Sequence, residues 1–169
     1  MPNLSTLKKI AEHHVDAEAS LRLFFSQNNP SYSSRFPAYT PAEVNQELIG
    51  RLYEADVRSA LVVLARAEAA FRTDYMERGR SKLSDNVSID FRRIYKARKK
   101  RARFENDILN TWSKHLSYPE KEHLGKLRGM FKFRHWIAHG RYWNHKPAHS
   151  FQDIYLQVDL ILAALPLKS

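Results

Sequence analysis

Apolar residues recur every three or four positions over most of the 169-residue chain, which is the spacing of amphipathic helices. The low glycine content, five residues in all, also favours helix over sheet. We therefore expect an all-α fold, an antiparallel bundle of about five helices. The apolar stripes predict these helices at residues 4–25, at 41–78, from 88 onward with a break near Lys100, from 119 into 133, and at 151–165.

Start and stop signals flank several of these stripes. Thr40-Pro41-Ala42-Glu43 has the pattern of a capping box with proline at the first helical position, and Gly79 is a candidate C-cap. Ser117-Tyr118-Pro119-Glu120 predicts a second capping box, and Ser150 begins the last helix. Charged residues of both signs alternate along 41–78 and predict a solvated helix face that includes Arg66, Glu68, Arg72, Asp74, Glu77 and Arg78.

Between the first two helices, residues 28–40 are rich in turn-forming residues and cannot continue a helix. We expect an ordered loop, because Tyr32, Phe36 and Tyr39 give this segment apolar surface to bury; a flexible flap near the functional site is the alternative. The chain then forms a single domain over 1–169, with an N-terminal helix at 1–27, the loop at 28–40 and the bundle core at 41–169.

Composition narrows the class of protein. The chain has no cysteine, which excludes disulfides and thiolate chemistry. It has no signal-peptide pattern and no uncharged apolar run of the roughly 18 residues that a membrane span requires, so we expect a soluble, cytoplasmic protein without a membrane partner. Gly125 and Gly129, four residues apart, would let another backbone approach closely, within the fold or across a dimer.

The charge balance indicates a polyanionic partner. Lys and Arg number 28 against 18 Asp and Glu, giving a net charge of +10 and a pI near 9.9. The densest basic run lies at 92–103, and we name four of its cations as candidate contacts to an RNA backbone: Lys96, Lys99, Lys100 and Arg101. A solvated helix surface is the alternative for this run.

The richest chemistry lies at residues 133–143, which hold two arginines, two histidines and two tryptophans. Histidine exchanges protons near neutral pH, and arginine presents a planar, permanently charged fork to phosphate oxygens. A histidine and an arginine close together can therefore cleave a phosphodiester without a metal ion. The candidate catalytic residues are Arg134, His135 and His139.

Arg134, a polar residue directly after it, three further residues and His139 resemble the R-x4-6-H motif of HEPN domains, and Gly140 resembles the "AHG" ending of several HEPN subfamilies. The resemblance implies a small helical domain that is often a two-fold dimer. It also implies a metal-independent endoribonuclease, of a kind found in toxin–antitoxin and anti-phage defence systems, with an antitoxin or other regulatory protein as a possible partner. One HEPN subgroup has tyrosine two residues after the histidine; here Arg141 occupies that position, which puts membership of that subgroup in doubt.

Helix geometry adds a constraint. At about 100° per residue, His135 and His139 share a face, whereas Arg134 and His139 point about 140° apart. Either the helix ends within the motif, as Gly140 suggests, or a second copy of the chain completes the site across a two-fold axis. We favour the dimer.

The mechanism that follows is transesterification of RNA by the 2′-OH, without a cofactor or a metal ion. His139 is the general base or general acid, Arg134 stabilises the transition state, and His135 orients one of them or the phosphate. Arg141 and Tyr142 are candidate substrate-binding residues, since they could position the backbone or stack on a base.

Three other functions compete with this hypothesis. A non-catalytic RNA- or protein-binding module would use the same basic surface. A zinc site could use His135 and His139 with His145 or His149 as a third ligand, although the neighbouring arginines would repel a cation. A DNA-binding regulator is the weakest, because no helix-turn-helix pattern is evident.

Overall fold

The computed structural model describes residues 6–140 and 149–168. This part of the chain is all-helical, without a β-strand, so the all-α prediction is confirmed. It contains seven α-helices, together with a 3₁₀ turn and a π-helical segment between α4 and α5: α1 (Leu7–Phe24), α2 (Tyr32–Arg35), α3 (Pro41–Arg80), α4 (Asn86–Arg98), the 3₁₀ turn (Lys99–Arg101), the π-helical segment (Phe104–Leu109), α5 (Asn110–His115), α6 (Glu120–Ala138) and α7 (Phe151–Ala164).

The predicted count of about five helices is too low, for two local reasons. A four-residue helix, α2, forms inside the turn-rich segment at 28–40. The single apolar stripe that begins near residue 88 is divided between α4 and α5, because the backbone leaves α-helical geometry at Lys99, where φ is +47°. The predicted break near Lys100 is confirmed.

The 40-residue helix α3 is the spine of the molecule and packs against α1, α4, α6 and α7. Its predicted capping box is present: Thr40 Oγ1 accepts from Glu43 N at 3.3 Å, and the Glu43 carboxylate accepts from Thr40 N at 2.7 Å. The prediction that Gly79 ends the helix is wrong. A Cβ at Gly79 would lie 2.8 Å from Cβ of Tyr95, so glycine serves here to let α4 approach α3.

Two further sequence predictions concern helix starts. The predicted start of the last helix at Ser150 is confirmed, and the structure shows a capping box there, with the Asp153 carboxylate accepting from Ser150 N at 3.1 Å. The capping box predicted at residues 117–120 is absent: α6 begins after Pro119 without a side-chain cap, and the Ser117 carbonyl, not its hydroxyl, accepts from Lys121 N at 2.8 Å.

The main core collects apolar side chains of all the long helices, including the fully buried Val63, Leu64 and Phe71 of α3. A smaller cluster of Phe25, Phe36 and Val44 covers the start of α3 and buries part of the 28–40 segment.

One turn of α3 carries a buried ionic network, which corrects the prediction that Asp74 and Arg78 belong to a solvated face. Asp74 is fully buried and Arg78 is 3% exposed. Asp74 accepts from Arg78 Nε at 2.6 Å, from Trp112 Nε1 at 3.1 Å and from Lys168 N at 2.8 Å. These bonds connect α3 to α5 and to the C-terminal segment.

The other groups of Arg78 extend the same network. They donate to Asp85 at 2.9 Å, to the Ser88 hydroxyl at 3.0 Å and to the Pro166 carbonyl at 2.7 Å. Burial raises the pKa of Asp74, while the three donors oppose that shift by favouring the carboxylate. The charged pair is therefore buried but well supplied with hydrogen bonds.

No described helix combines the length and the apolar character needed to cross a membrane. On α6, a Cβ at Gly125 or Gly129 would have no neighbouring atom within 4 Å in the described part of the chain. Close packing of a second backbone on these glycines within the fold, one of the two predicted possibilities, is therefore not what the structure shows.

Substituting Arg78 tests the network. Arg78→Met should lower the free energy of unfolding by about 3–5 kcal/mol, because it leaves the Asp74 carboxylate buried without its cation. Arg58, an exposed arginine on the same helix, provides the control, and Arg58→Met should change stability by no more than about 0.5 kcal/mol. Urea unfolding of the three proteins measures both values; equal losses in the two variants would contradict the structural role of the pair.

Candidate functional site

The R-x4-H motif lies at the C-terminal end of α6. Arg134 and His135 are within the helix, which ends at Ala138, and His139 is its C-cap, with its N–H donating to the His135 carbonyl at 3.1 Å. Gly140 follows at φ +83°, a conformation that glycine adopts without strain. The helix therefore ends within the motif, which is the first of the two alternatives and the one that Gly140 suggested.

Although the helix ends here, Arg134 and His139 have different neighbours. Arg134 extends to α3, where Nη1 donates to the Glu68 carboxylate. His139 instead lies beside His135, with ring centroids 4.1 Å apart and the planes tilted by 55°. His135 thus follows Arg134 in the sequence and contacts His139 through its ring.

Glu68 was not expected to have a role beyond a solvated helix face. Its carboxylate accepts from Arg134 and also from Arg72 Nε at 2.7 Å, one turn further along α3. The Glu68 side chain is 18% exposed, whereas that of Arg134 is 38% exposed. Burial raises the pKa of Glu68, but the hydrogen bonds and charges of the two arginines outweigh it and hold the pKa below its ordinary value.

This arrangement fixes the position of Arg134 but uses only part of its hydrogen-bond donors. A guanidinium has five N–H donors, and one of them is directed to Glu68. Arg134 Cζ also lies 5.9 Å from the centre of the Phe131 ring. The carboxylate and the ring fix the position of the guanidinium, while its exposed donors can still bind an anion.

A cleft of about 730 Å³ opens beside Arg134. Residues of α3, α6 and the π-helical segment line it, and they combine aromatic, cationic and acidic side chains: Glu68, Arg103, Phe104, Glu105, Phe131, Arg134, His135 and Ala138. His139 is not among them, but its ring contacts that of His135, which lines the cleft.

The aromatic part of the cleft is Phe104 packed on Phe131, with ring centroids 4.7 Å apart in an edge-to-face arrangement. Arg72 Cζ lies 5.4 Å from the centre of the Phe104 ring, close enough for a cation–π contact. Arg72 therefore contacts both Glu68 and Phe104.

Three of the four predicted basic contacts, Lys99, Lys100 and Arg101, lie on the neighbouring 3₁₀ turn. Tyr75 Oη donates to the Lys99 carbonyl at 2.8 Å, and Arg72 Nη1 donates to the Ala102 carbonyl at 3.3 Å, which anchors both ends of the turn to α3. Lys99 keeps a positive φ that a lysine rarely adopts, so this turn is strained as well as anchored.

The cations of this turn are exposed. Lys99, Lys100 and Arg101 make no ion pair with other described residues, whereas Arg98 pairs with Asp107 at 3.4 Å. A cleft of about 470 Å³ lies against them, lined by Tyr95, Ala97, Arg98, Lys99, Lys100 and Arg101. Lys96, the fourth predicted contact, is exposed on the last turn of α4 but does not line this cleft.

The remaining predicted site residues are Arg141 and Tyr142, which lie outside the described residues, as does His145 of the zinc alternative. Within the described ranges, no three His, Cys, Asp or Glu side chains are grouped so that they could hold a metal ion. His149 contacts the Phe133 ring, with centroids 5.7 Å apart.

Sequence reasoning missed Glu68, Phe104 and Glu105 as residues of the cleft, whereas Arg103 belongs to the predicted basic run at 92–103. The only signal for Glu68 was its spacing of four residues from Arg72, which predicts an ordinary helix pair and says nothing of Arg134, 66 residues away.

Glu68→Gln should lower the free energy of unfolding by about 1–2 kcal/mol at pH 7, because it removes an ionised acceptor from two arginines. A carboxylate whose pKa is lowered in the folded state stabilises the fold above its unfolded pKa, and that stabilisation is lost as pH falls through the folded pKa. The difference between wild type and Glu68→Gln should therefore shrink as pH falls below about 4. Denaturant unfolding at pH 7 and pH 3.5 measures it; a difference that stays constant with pH would contradict this assignment.

Comparison with known proteins identifies no relative of this chain. No protein-family model matches the chain, no curated protein is detectably similar to it, and no solved structure matches it.

Proposed function

We propose that this protein is a metal-independent endoribonuclease of HEPN type, which cleaves RNA by attack of the 2′-OH on the adjacent phosphate. The observation that carries the proposal is the environment of Arg134: a partly exposed guanidinium, fixed by Glu68, lies beside His135 in a cleft next to an exposed basic turn. A fixed cation with imidazole groups next to it, at the end of the same helix, provides the two kinds of group that metal-independent phosphodiester transesterification uses.

The residues divide the chemistry as follows. Arg134 binds a non-bridging phosphate oxygen and stabilises the charge that builds on phosphorus. His139 takes the proton from the 2′-OH or gives one to the leaving 5′-oxygen, and His135, in ring contact with it, orients the histidine or the phosphate. The products are a 2′,3′-cyclic phosphate and a 5′-OH, and DNA is not cleaved because it has no 2′-OH.

A two-fold dimer completes this site in the proposal. By helix geometry Arg134 and His139 lie about 140° apart around α6, and they contact different residues, Glu68 and His135, so the proposal assigns one phosphate to Arg134 of one copy and His139 of the other. The open surface over Gly125 and Gly129 on the same helix offers room for close approach of a second copy.

Lys99, Lys100 and Arg101 supply the non-specific affinity for the RNA backbone, with Lys96 beside them. Their turn is held in place by Tyr75 and Arg72, so these charges are presented with little loss of backbone freedom on binding. The resemblance to HEPN domains further suggests a toxin or an anti-phage defence effector, controlled by an antitoxin or another regulatory protein.

A second candidate function is a non-catalytic module that binds RNA or a partner protein. The ion pair between Arg134 and Glu68 favours it, because the pair connects α6 to α3 and gives the arginine of the motif a structural use. Both candidates bind RNA through the same basic turn, so cleavage alone separates them.

The test incubates purified protein with a labelled RNA and with its DNA counterpart in excess EDTA. Wild type should cut the RNA alone and leave cyclic-phosphate ends, whereas Arg134→Ala and His139→Ala should each lower the rate by about 100-fold or more. Both variants should keep most of their RNA affinity, measured by fluorescence anisotropy.

His13→Ala is the matched control, since His13 is an exposed histidine on α1, and it should cleave at the wild-type rate. Arg134→Lys separates charge from geometry: it keeps a cation for Glu68 and should fold normally, yet cleave poorly because it lacks the planar fork. RNA binding by a folded wild type without any cleavage would overturn the enzyme proposal and favour the binding module.

A further inference from the structure

We infer that the cleft beside Arg134 binds a guanine base of single-stranded RNA, held on Phe104 and recognised by the Glu105 carboxylate. The inference rests on the proposed function for the identity of the ligand as RNA, and it adds a base preference to that function. The cleft holds about 730 Å³, which is ample for one nucleotide.

The first argument is the aromatic surface. Phe131 is nearly fully buried, at 4% exposed, and it supports the partly exposed Phe104 edge-to-face, at 4.7 Å between ring centroids. Arg72 lies on Phe104 as well, so the ring is held from two sides. An unpaired base of single-stranded RNA stacks on such a fixed aromatic ring.

The second argument is the backbone that presents this ring. Phe104 and Glu105 open a π-helical segment, in which the Arg103 carbonyl accepts from Asp107 N at 2.9 Å and also from Ile108 N at 3.3 Å. The Asp107 carboxylate in turn accepts from Arg103 N at 2.6 Å and closes the start of the segment. π-Helical turns are rare and are frequently found at functional sites, and this one forms a wall of the cleft that holds Arg134.

The third argument is that the two carboxylates in the cleft, Glu68 and Glu105, differ in their hydrogen-bond partners. Glu68 is already used by Arg72 and Arg134. Glu105 is exposed, and its carboxylate makes no hydrogen bond or ion pair with the other described residues, although cationic Arg103 and Arg134 line the same cleft. It is the acceptor that remains for a ligand.

An ionised carboxylate only accepts hydrogen bonds, and it can accept two side by side. Guanine alone among the four bases presents two adjacent donors, N1–H and the N2 amino group, on its Watson–Crick edge. Adenine, cytosine and uracil each place an acceptor beside their donor on that edge, and the acceptor would face a carboxylate oxygen. A base that stacks on Phe104 with its edge toward Glu105 is therefore best satisfied as guanine.

The same cleft is lined by Arg134 and His135, so the phosphate of the bound nucleotide is delivered to the catalytic motif. Cleavage is consequently expected at a phosphodiester bond next to a guanosine. The basic turn, which meets the cleft through Arg103 and Ala102, holds the neighbouring nucleotides without reading their bases.

The test uses 2′-O-methyl hexanucleotides, which cannot be cleaved by the proposed mechanism and so report binding alone. A uracil tract with one central guanosine should bind wild type at least 5-fold more tightly than the same tract with a central adenosine or uridine, measured by fluorescence anisotropy. Glu105→Gln should reduce that ratio to near one, because an amide replaces one acceptor oxygen by a donor.

Two variants guard against trivial explanations. Glu77→Gln changes an exposed glutamate of α3 outside the cleft and should keep the wild-type ratio. Phe104→Leu should weaken all the probes together, since it removes the stacking surface and leaves the carboxylate. Equal binding of the three probes by wild type, no binding of any, or a guanosine preference that survives Glu105→Gln would each overturn the inference.

The base site and the ribonuclease can fail separately. Guanosine preference in the binding assay without cleavage of ordinary RNA would leave the base site standing and overturn the proposed enzyme. Cleavage of RNA with no enrichment of guanosine next to the cut sites, and with equal binding of the probes, would do the reverse.

Discussion

The buried carboxylate of Asp74 is the constraint on which the arrangement of this molecule depends. It gathers Arg78, the Trp112 indole and the Lys168 backbone amide, and so fixes α3 against α5 and the C-terminal segment. Two residues before Asp74, Arg72 donates to Glu68 and to the Ala102 carbonyl, and Tyr75, the residue after Asp74, donates to the Lys99 carbonyl. The same stretch of α3 therefore positions the core, the motif arginine and the basic turn.

In the candidate site, a residue far away in sequence fixes the position of the motif arginine. Arg134 alone is a charged side chain near a helix end; Glu68 fixes it, and Phe131 lies under it. The opposing charge holds the arginine in place, which in the proposed mechanism reduces the conformational entropy lost when substrate binds. In the proposed mechanism Glu68 also competes with phosphate for the guanidinium, so the remaining donors of Arg134 are the ones assigned to the substrate.

Local patterns predicted the all-helical fold, the break near Lys100, the capping box at Thr40 and the start of the last helix at Ser150, and Gly140 suggested a helix end at the motif, because each depends on neighbouring residues. Contacts between distant residues were beyond such patterns. Alternating charges on α3 predicted a solvated face, yet Asp74 and Arg78 are buried by elements that approach from 38 and 88 residues away. Glycine is typical of helix ends, but Gly79 lies inside α3, where the absence of a side chain makes room for Tyr95. For the same reason Phe104 and Glu105 gave no local signal: the cleft that they line exists only after α3, α6 and the π-helical segment have packed.

The central claim is that the motif promotes cleavage of RNA by the 2′-OH of the RNA itself. One chemical substitution in the substrate tests this claim most directly. A labelled RNA is first cut by wild type in EDTA to map the cleaved bond, and the same RNA is then prepared with a single 2′-O-methyl group at the nucleotide on the 5′ side of that bond. The account predicts that cleavage at this bond stops while binding and cleavage elsewhere continue, because the nucleophile alone has been blocked. Continued cleavage at the methylated position would show that the attacking oxygen comes from water, and would contradict the mechanism proposed for Arg134 and His139.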